Sequence, residues 1–179
     1  MAKLKYQIDP AHSSAQFSIR HLMISNVRGE FSKLSGAIVY DSEHPEQSSV
    51  DVTIDVASIS TREAQRDTHL KSGDFFDAEK FPAITFKSKE ILKHQSGDLK
   101  LKGDLTIRGV SREVVLDVEG PSPESKDPWG NLRIGASATT KINRKEFDLT
   151  WNSALETGGL LVGDEVKITL DIQAIRQSS

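Results

Sequence analysis

Alternation of apolar and polar residues with a period of two runs through most of this chain and constrains its fold more than any other feature. In the segment VDVTIDV the residues Val50, Val52, Ile54 and Val56 are apolar, and the residues between them are polar. Because successive side chains of a strand point to opposite faces, this pattern predicts a strand with one buried face.

The same alternation recurs and predicts about eight strands in all. A strand that is apolar on one face only is typical of an antiparallel sheet, since strands of a parallel sheet are buried on both faces. The recurring apolar sets are Ala15, Phe17, Ile19; Ile84, Phe86; Leu99, Leu101, Leu105, Ile107; Val114, Leu116, Val118; Leu132, Ile134, Ala136, Ala138; and Val166, Ile168, Leu170, Ile172. A less regular strand is predicted over 34–40, with a bulge at Gly36.

Helical signals are few. Ser60 and Glu63 have the spacing of a capping box, which predicts a short helix ending near Lys71, and a second helical turn is predicted over 143–149. With so little helix, the sheet must close on itself or pack on a second sheet. A closed sheet of about eight strands is just wide enough for side chains or one small ligand. We therefore expect a single all-β domain over residues 1–179, with one or two short helices and either a closed antiparallel sheet of about eight strands or two packed sheets.

Composition excludes several classes of function. The 23 basic and 26 acidic residues leave a net charge of −3, which gives no footprint for nucleic acid. The chain has no cysteine, so disulfides, thiolate metal sites and cysteine nucleophiles are excluded. No apolar run has the length of a signal peptide or a membrane span. We expect a cytoplasmic protein as the sequence is written, or a periplasmic one if a leader has been removed.

Asp67, His69 and Asp74 form the one cluster that suggests chemistry, with His12 and His21 as further histidines. As a functional site the cluster would hold a metal or act as a general base. Zinc-site spacings such as H-E-x-x-H are absent, and Asp67 and His69 would point to different sides of a helix. We favour hydrogen bonds that tie the helix to neighbouring strands.

Nucleophile elbows and phosphate-binding glycine loops are also missing. We therefore expect no catalytic residue, no metal and no cofactor. An enzyme that uses the Asp67, His69 and Asp74 cluster is kept as the alternative.

Phenylalanines beside this cluster favour a different interpretation. Phe75, Phe76 and Phe81 lie between the predicted helix and the next strand, where they would close an apolar interior. The inward-facing sets also include small residues such as Ala136 and Gly103. A barrel lined partly by small residues is expected to enclose a cavity.

Several ordered motifs carry a resemblance to a known family. The opening YQIDPAHSSAQFSIRHLMISNVRGEF, the middle SISTREAQRDTHLKSGDFFDAEKFPAITFKS and the later GDLTIRGVSREVVLDV follow one another at family spacing, and an R-x-x-F-x-L motif precedes a G-x-x-V strand. Over about residues 4–175 the chain resembles the YceI-like family of lipocalin-like, polyisoprenoid-binding proteins. The resemblance implies a bacterial protein with an extended lipocalin-like fold, an antiparallel eight-stranded barrel with one or two short helices and a long amphiphile inside. It also implies that some relatives are dimeric.

We hypothesise a non-enzymatic protein that binds a polyisoprenoid, an isoprenoid quinone or a fatty amide for transport, storage or sequestration, and that is a possible homodimer. A ligand-free interaction module is a further alternative. The predicted wall residues are Phe17, Ile19, Ile38, Val52, Ile54, Phe86, Leu105, Ile107, Leu116, Ile134, Ala136, Ile168 and Leu170. Phe75, Phe76 and Phe147 are predicted at the mouth or plug, and His21, Asn26, Arg62 and His69 at the head group.

Overall fold

The computed structural model describes residues 3–22, 24–93, 98–153, 155 and 161–178. Within them the chain forms twelve strands and one α-helix. The strands are β1 Leu4–Ile8, β2 Ser14–His21, β3 Ser25–Phe31, β4 Leu34–Tyr40, β5 Ser49–Asp55, β6 Ile59–Ser60, β7 Ala83–Lys93, β8 Leu99–Ile107, β9 Val110–Glu119, β10 Ser125–Lys126, β11 Leu132–Asn143 and β12 Val162–Arg176. The helix is α1 Ala64–Lys71, and 3₁₀ turns cover Pro10–His12, Pro45–Gln47, Val56–Ser58 and Arg144–Phe147.

Eight of these strands close into an antiparallel barrel, in agreement with the sequence prediction. The order around the barrel is β11-β9-β8-β7-β5-β4-β1-β12, and pairing of β12 with β11 completes the ring. Closure reduces the unpaired strand edges, which would otherwise template aggregation. One of the shortest ladders in the ring joins β9 to β11 through Asp117, Val118 and Glu119.

The last strand, β12, holds the barrel together along its whole length. On one side it pairs with β11 from Arg133↔Ile175 to Asn143↔Glu165. On the other side its C-terminal end pairs with β1, and the rest of the strand pairs with β2. Strands β3 and β6 continue the sheet outward from β2. The N-terminal segment therefore lies along β12 as two successive half-length strands.

The period-two pattern places one face of each barrel strand in the interior. In β8 the residues Leu99, Leu101, Leu105 and Ile107 are buried, and Gly103 occupies the remaining inward position. A Cβ on Gly103 would lie 2.4 Å from the Lys87 carbonyl oxygen, so the close approach of β7 requires glycine there.

The predicted bulge at Gly36 is wrong. Gly36 pairs with Val52 in an uninterrupted ladder between β4 and β5. Its φ is +150°, and an added Cβ would lie 2.0 Å from the Asp51 carbonyl oxygen. Glycine is needed there for close contact between the strands, and not for an extra residue.

The short helix is confirmed, but its predicted cap is wrong. The residue before the helix is Glu63, whose side chain accepts a hydrogen bond from the Gln65 amide. Ser60 is part of β6, where it pairs with Glu30. Strand pairing therefore removes Ser60 from the cap position. The second predicted helical turn is the 3₁₀ turn that follows Asn143. In the described part of the chain, no helix has the length and apolar character needed to cross a membrane.

Two charged networks brace the end of the barrel that carries Leu4 and Arg176, which we call the far end. The Tyr6 hydroxyl donates to Glu124 at 2.6 Å, and Arg176 reaches the same carboxylate at 3.1 Å. A second network joins β1 to the loop between β9 and β11.

In this second network the Arg133 guanidinium donates to Asp9 and to Asp127, each at 2.7 Å. The hydrogen bond from Arg133 to Asp9, with a second from His12, lowers the pKa of Asp9 to about 2. The two networks tie the segment 120–131 to the barrel.

Replacement of Gly103 tests the close approach of β7 and β8. Gly103→Ala places a methyl group against the Lys87 carbonyl and the Phe86 ring. We expect a loss of about 2 kcal/mol in the free energy of unfolding, measured by urea denaturation. Gly73→Ala is the matched control, because nothing lies within 4 Å of its added Cβ. Equal stability of the two variants would contradict this packing.

Candidate functional site

The barrel encloses an elongated cavity of about 350 Å³. Its wall is formed mainly by apolar side chains from the inner faces of the strands, with Phe17, Ile54, Phe86, Leu116 and Ile168 among them. Ligand pockets in proteins commonly fall between about 300 and 1,000 Å³. The cavity therefore has the size and the lining expected for an apolar small-molecule ligand.

A smaller cavity of about 80 Å³ lies toward the far end of the barrel. It is lined by residues such as Tyr40, Ile91, Leu99 and Ile134. The two cavities share Ile38, Val50, Leu101, Val118, Ala136 and Ile172 as wall residues. The two cavities therefore adjoin and have part of their wall in common.

At the other end the cavity is lined by partly exposed residues of β2 and α1, together with Trp151. We call this end the mouth and define it by Arg20, His21, Arg66, His69 and Trp151. Each of these lines the cavity, and each keeps some solvent exposure.

Aromatic rings pack in two groups near the mouth. Phe31 contacts both Phe17 and Phe76, with ring centroids 5.7 Å apart in each pair. In the second group the His69 ring lies edge-on to Phe75 at 5.1 Å and to Trp151 at 4.8 Å. These rings connect the segment after α1 to the barrel and narrow the opening.

The residues of the predicted acid and histidine cluster take part in two separate sets of hydrogen bonds. Asp67 accepts hydrogen bonds from the amide and the hydroxyl of Thr61, at the start of the α1 segment. His69 instead pairs with Asp74, with Nε2 and Oδ2 at 2.8 Å. Both contacts are hydrogen bonds, as that interpretation predicted, but they join the helix to the segments just before and after it and not to neighbouring strands. Among the residues that the structure describes, no group of three or more potential ligands is placed to hold a metal ion.

Among the described residues, Arg144 is the most buried charged one. Its hydrogen bonds join the segments beside the mouth. It is 2% exposed, and its guanidinium donates to four backbone carbonyls. The Nη1 group donates to Leu149 at 2.6 Å and to Trp151 at 3.0 Å, and Nε donates to Gly163 at 2.7 Å. The fourth bond runs from Nη2 to Val162 at 3.4 Å. Burial lowers the pKa of this guanidinium from its ordinary value.

A register shift explains why these carbonyls are available. Val162 pairs with His21 and Val166 pairs with Ile19, so β12 has two more residues than β2 in this interval. Such a bulge disrupts the local ladder and leaves backbone groups to find other partners. Here the carbonyl of Gly163 accepts a hydrogen bond from the guanidinium of Arg144. The R-x-x-F-x-L motif and the following G-x-x-V strand thus meet at one structural joint.

The structure places most of the predicted site residues around the larger cavity. Those that line it are Phe17, Ile19, His21, Ile38, Val52, Ile54, His69, Phe75, Phe76, Phe86, Leu105, Ile107, Leu116, Ala136, Ile168 and Leu170. Ile134 lines the smaller cavity instead. Contact of any of them with a ligand stays a prediction.

Three predicted residues are not among those that line either cavity. Asn26 and Arg62 are exposed, and Phe147 is 1% exposed within the core. Asn26 is directed outward because it alternates with Val27, which faces the cavity. Phe147 is packed within the hydrophobic core and is not among the residues that line the cavity.

Sequence reasoning missed four residues that shape the mouth, namely Arg20, Arg66, Arg144 and Trp151. Arg144 had a signal, since it begins the R-x-x-F-x-L motif. Arg20 follows the inward-facing Ile19 and precedes His21, so alternation alone assigns it to the outer face. Its place beside the cavity has no signal in the β2 sequence.

Comparison with known proteins agrees with this architecture. The profile of the YceI-like domain matches residues 6–174. The chain belongs to the YceI-like family. A UPF0312 protein of Staphylococcus aureus strain N315 is 40% identical over 163 residues, which are 90% of this chain and 92% of that protein.

Solved structures show the same fold. The Campylobacter jejuni YceI protein is 36% identical, with a TM-score of 0.74 over 89% of this chain and 90% of that one. BcnA of Burkholderia cenocepacia is 25% identical, with a TM-score of 0.78 over 93% and 98%. A polyisoprenoid-binding domain of Saccharophagus degradans has a TM-score of 0.69 over 97% and 99%, but only 15% identity, so this likeness concerns the fold alone.

Replacement of Arg144 tests the joint at the mouth. Arg144→Lys keeps the charge but loses the planar fork that reaches four carbonyls, so buried acceptors are left unpaired. We expect the free energy of unfolding to fall by about 3 kcal/mol in urea denaturation. The control is Arg28→Lys, at an exposed position of β3. A change below about 0.5 kcal/mol for Arg144→Lys would contradict the joint.

Proposed function

We propose that this barrel binds one long-chain amphiphile in its interior and acts as a carrier, store or sequestering protein, and not as an enzyme. The single observation that supports the proposal most is the apolar cavity of about 350 Å³ inside the barrel. The ligand class we propose is a polyisoprenoid, an isoprenoid quinone or a fatty amide. The polyisoprenoid-binding domain with the same fold supports that choice.

The driving force would be removal of an apolar chain from water. At about 0.8 kcal/mol per buried CH₂ group, fifteen carbons gain roughly 12 kcal/mol before costs. Loss of ligand freedom offsets much of this gain, so binding in the nanomolar to micromolar range is expected. Discrimination between tails would be loose, because one methylene changes the free energy of binding by about 1–3 kcal/mol.

The enzymatic alternative has lost part of its support. It required Asp67, His69 and Asp74 to act together, whereas Asp67 is bound to Thr61 and only His69 and Asp74 are paired. His69 also packs against Trp151, which makes it a part of the cavity wall. A homodimer stays a prediction of the family resemblance.

Filling the cavity tests the proposal directly. Ala138 faces the larger cavity between Val118 and Leu170, so Ala138→Phe would occupy space needed by a ligand. With farnesol as the probe, we expect native mass spectrometry to show at least a tenfold loss of affinity, about 1.4 kcal/mol. Ala138→Leu should give an intermediate loss.

The matched control is Ala37→Phe, at an exposed position of β4. This variant should bind farnesol as the wild type does, and circular dichroism should show that all three variants are folded. If folded Ala138→Phe binds farnesol as tightly as the wild type, the probe does not enter the barrel and the proposal is wrong.

A further inference from the structure

The junction between β9 and β11, which we call the β9–β11 seam, is closed over only a small part of the two strands. Their ladder runs from Ser137↔Glu119 to Thr139↔Asp117 and ends there. On their other sides the same strands are paired over most of their length, β9 with β8 and β11 with β12. The barrel therefore has a short ladder at a place where both strands are long.

Beyond this ladder the two strands are no longer paired with each other. Continuation of the register would bring Ile142 opposite Val114. In the described ladders, however, residues 140–143 pair with β12 alone, and residues 110–116 pair with β8 alone. The β9–β11 seam thus contains an unpaired interval next to the short ladder.

Side-chain hydrogen bonds take the place of the ladder in this interval. The Thr140 hydroxyl donates to the Val115 carbonyl at 2.9 Å, and Nε of Arg112 donates to the Glu146 carbonyl at 3.1 Å. Both bonds are exposed, so water competes for the same donors and acceptors and their net contribution to stability is small. A segment held by few and exposed hydrogen bonds opens locally at a low cost in free energy.

The larger cavity lies directly behind the β9–β11 seam. The inward-facing residues of the two strands that line it are Val114, Leu116, Val118, Ala138, Thr140 and Ile142. Val118 and Ser137 line both this cavity and a groove on the outer surface, which the exposed side chains of Lys100, Asp117 and Thr139 also line. Separation of the strands at this place would therefore connect the cavity with solvent.

The mouth is braced more firmly than the β9–β11 seam. Arg144 joins the segments beside it through four backbone carbonyls. The rings of His69, Phe75 and Trp151 pack against one another there. A long tail that entered at the mouth would have to separate these rings, whereas a tail that entered at the seam would have to break only a short ladder.

We propose that the β9–β11 seam is a side gate through which the apolar tail of the ligand enters and leaves the barrel. This inference rests on the proposed function. The gate opens when the short ladder separates, starting from the interval that is already unpaired, and it closes when the ladder forms again. A tail that enters sideways meets the apolar side chains of both strands along its length and is not threaded through the mouth end first.

A disulfide across the β9–β11 seam tests the inference, since this chain has no cysteine of its own. Asp117→Cys combined with Thr139→Cys places two thiols at exposed, directly paired positions at the end of the ladder. Opposed residues of antiparallel strands have Cα atoms about 4.5–5.5 Å apart, which a disulfide can span. Titration of free thiols shows when the disulfide has formed.

The probe is cis-parinaric acid, a long-chain fatty acid whose fluorescence increases in apolar surroundings. In stopped-flow fluorescence, oxidation of the seam variant should slow both uptake and release about tenfold, which raises the barrier by about 1.4 kcal/mol. Addition of a reductant should restore both rates. The Kd from equilibrium titration should stay within about twofold, because a locked gate changes the rates and not the free and bound states.

The matched control is a disulfide within a continuous ladder. Thr53→Cys combined with Thr85→Cys places two thiols at exposed, directly paired positions of β5 and β7. Oxidation of this control should leave both rates within about twofold of those of its reduced form.

A single substitution tests the gate in the opposite direction and does not depend on the folding of either double variant. Arg112→Met removes the hydrogen bond to the Glu146 carbonyl, so uptake and release should both become about threefold faster. Arg28→Met replaces an exposed arginine of β3 and should leave both rates unchanged.

The outcomes separate this inference from the proposed function. If oxidation of the seam variant leaves both rates unchanged, or if the control disulfide slows them equally, the gate is wrong and the carrier stands. Faster release from seam variant that was loaded before oxidation would also overturn the gate. If the wild type does not bind cis-parinaric acid, the proposed function fails, and the inference fails with it.

Discussion

Closure of the sheet by β12 is the constraint on which the rest of the structure depends. This strand pairs with β11 on one side and with β1 and β2 on the other, so it connects the two ends of the chain in one ladder. Closure places every inward side chain on a common interior. Without it, the apolar faces of the strands would need a second sheet or more helices to cover them.

The interior that results is incompletely filled, and that has an energetic consequence. Side chains around a cavity lack partner atoms on one side and so lose dispersion contacts. A bound hydrocarbon chain would supply those contacts, so ligand binding should also stabilise the folded barrel. The cavity that lowers the stability of the empty barrel is thus also the space that a ligand would fill.

The structure of the mouth depends on a second interaction, the hydrogen bonds that the buried guanidinium of Arg144 donates to backbone carbonyls. The bulge in β12 releases the Gly163 carbonyl, and Arg144 binds it together with the carbonyls of Leu149 and Trp151. Trp151 is thereby held where its ring meets His69. The segment between β11 and β12, the helix α1 and the end of β2 are joined at this point, although they are far apart in the chain.

The strands of the barrel could be predicted because the alternation that identifies them is a local pattern in the sequence. Alternation in VDVTIDV or in β8 identifies the buried face from a few neighbouring residues, and one-sided strands imply closure. Ser60 shows the limit: its capping spacing was sound, but pairing with Glu30 in β6 overrode it. Gly36 likewise had an ambiguous signal, since a bulge and a close strand approach both require glycine.

The basic mouth was only partly predictable. His21 and His69 were placed there from the sequence, whereas Arg20, Arg66 and Arg144 were not. Each arginine lies on a different element, namely β2, α1 and the 3₁₀ turn after β11, so only the folded chain brings them to one cavity. Cavity volume is also a property of the whole closed barrel and has no local pattern in the sequence.

Native mass spectrometry of the protein purified from its own host tests the central claim most directly. The account predicts a species heavier than the bare chain by one amphiphile, which is released on collisional activation and identified in an organic extract. Purified protein emptied by extraction should take up one molecule of an added long-chain probe. Only the bare mass, both as purified and after incubation with isoprenoid and fatty probes, would contradict a ligand-binding barrel.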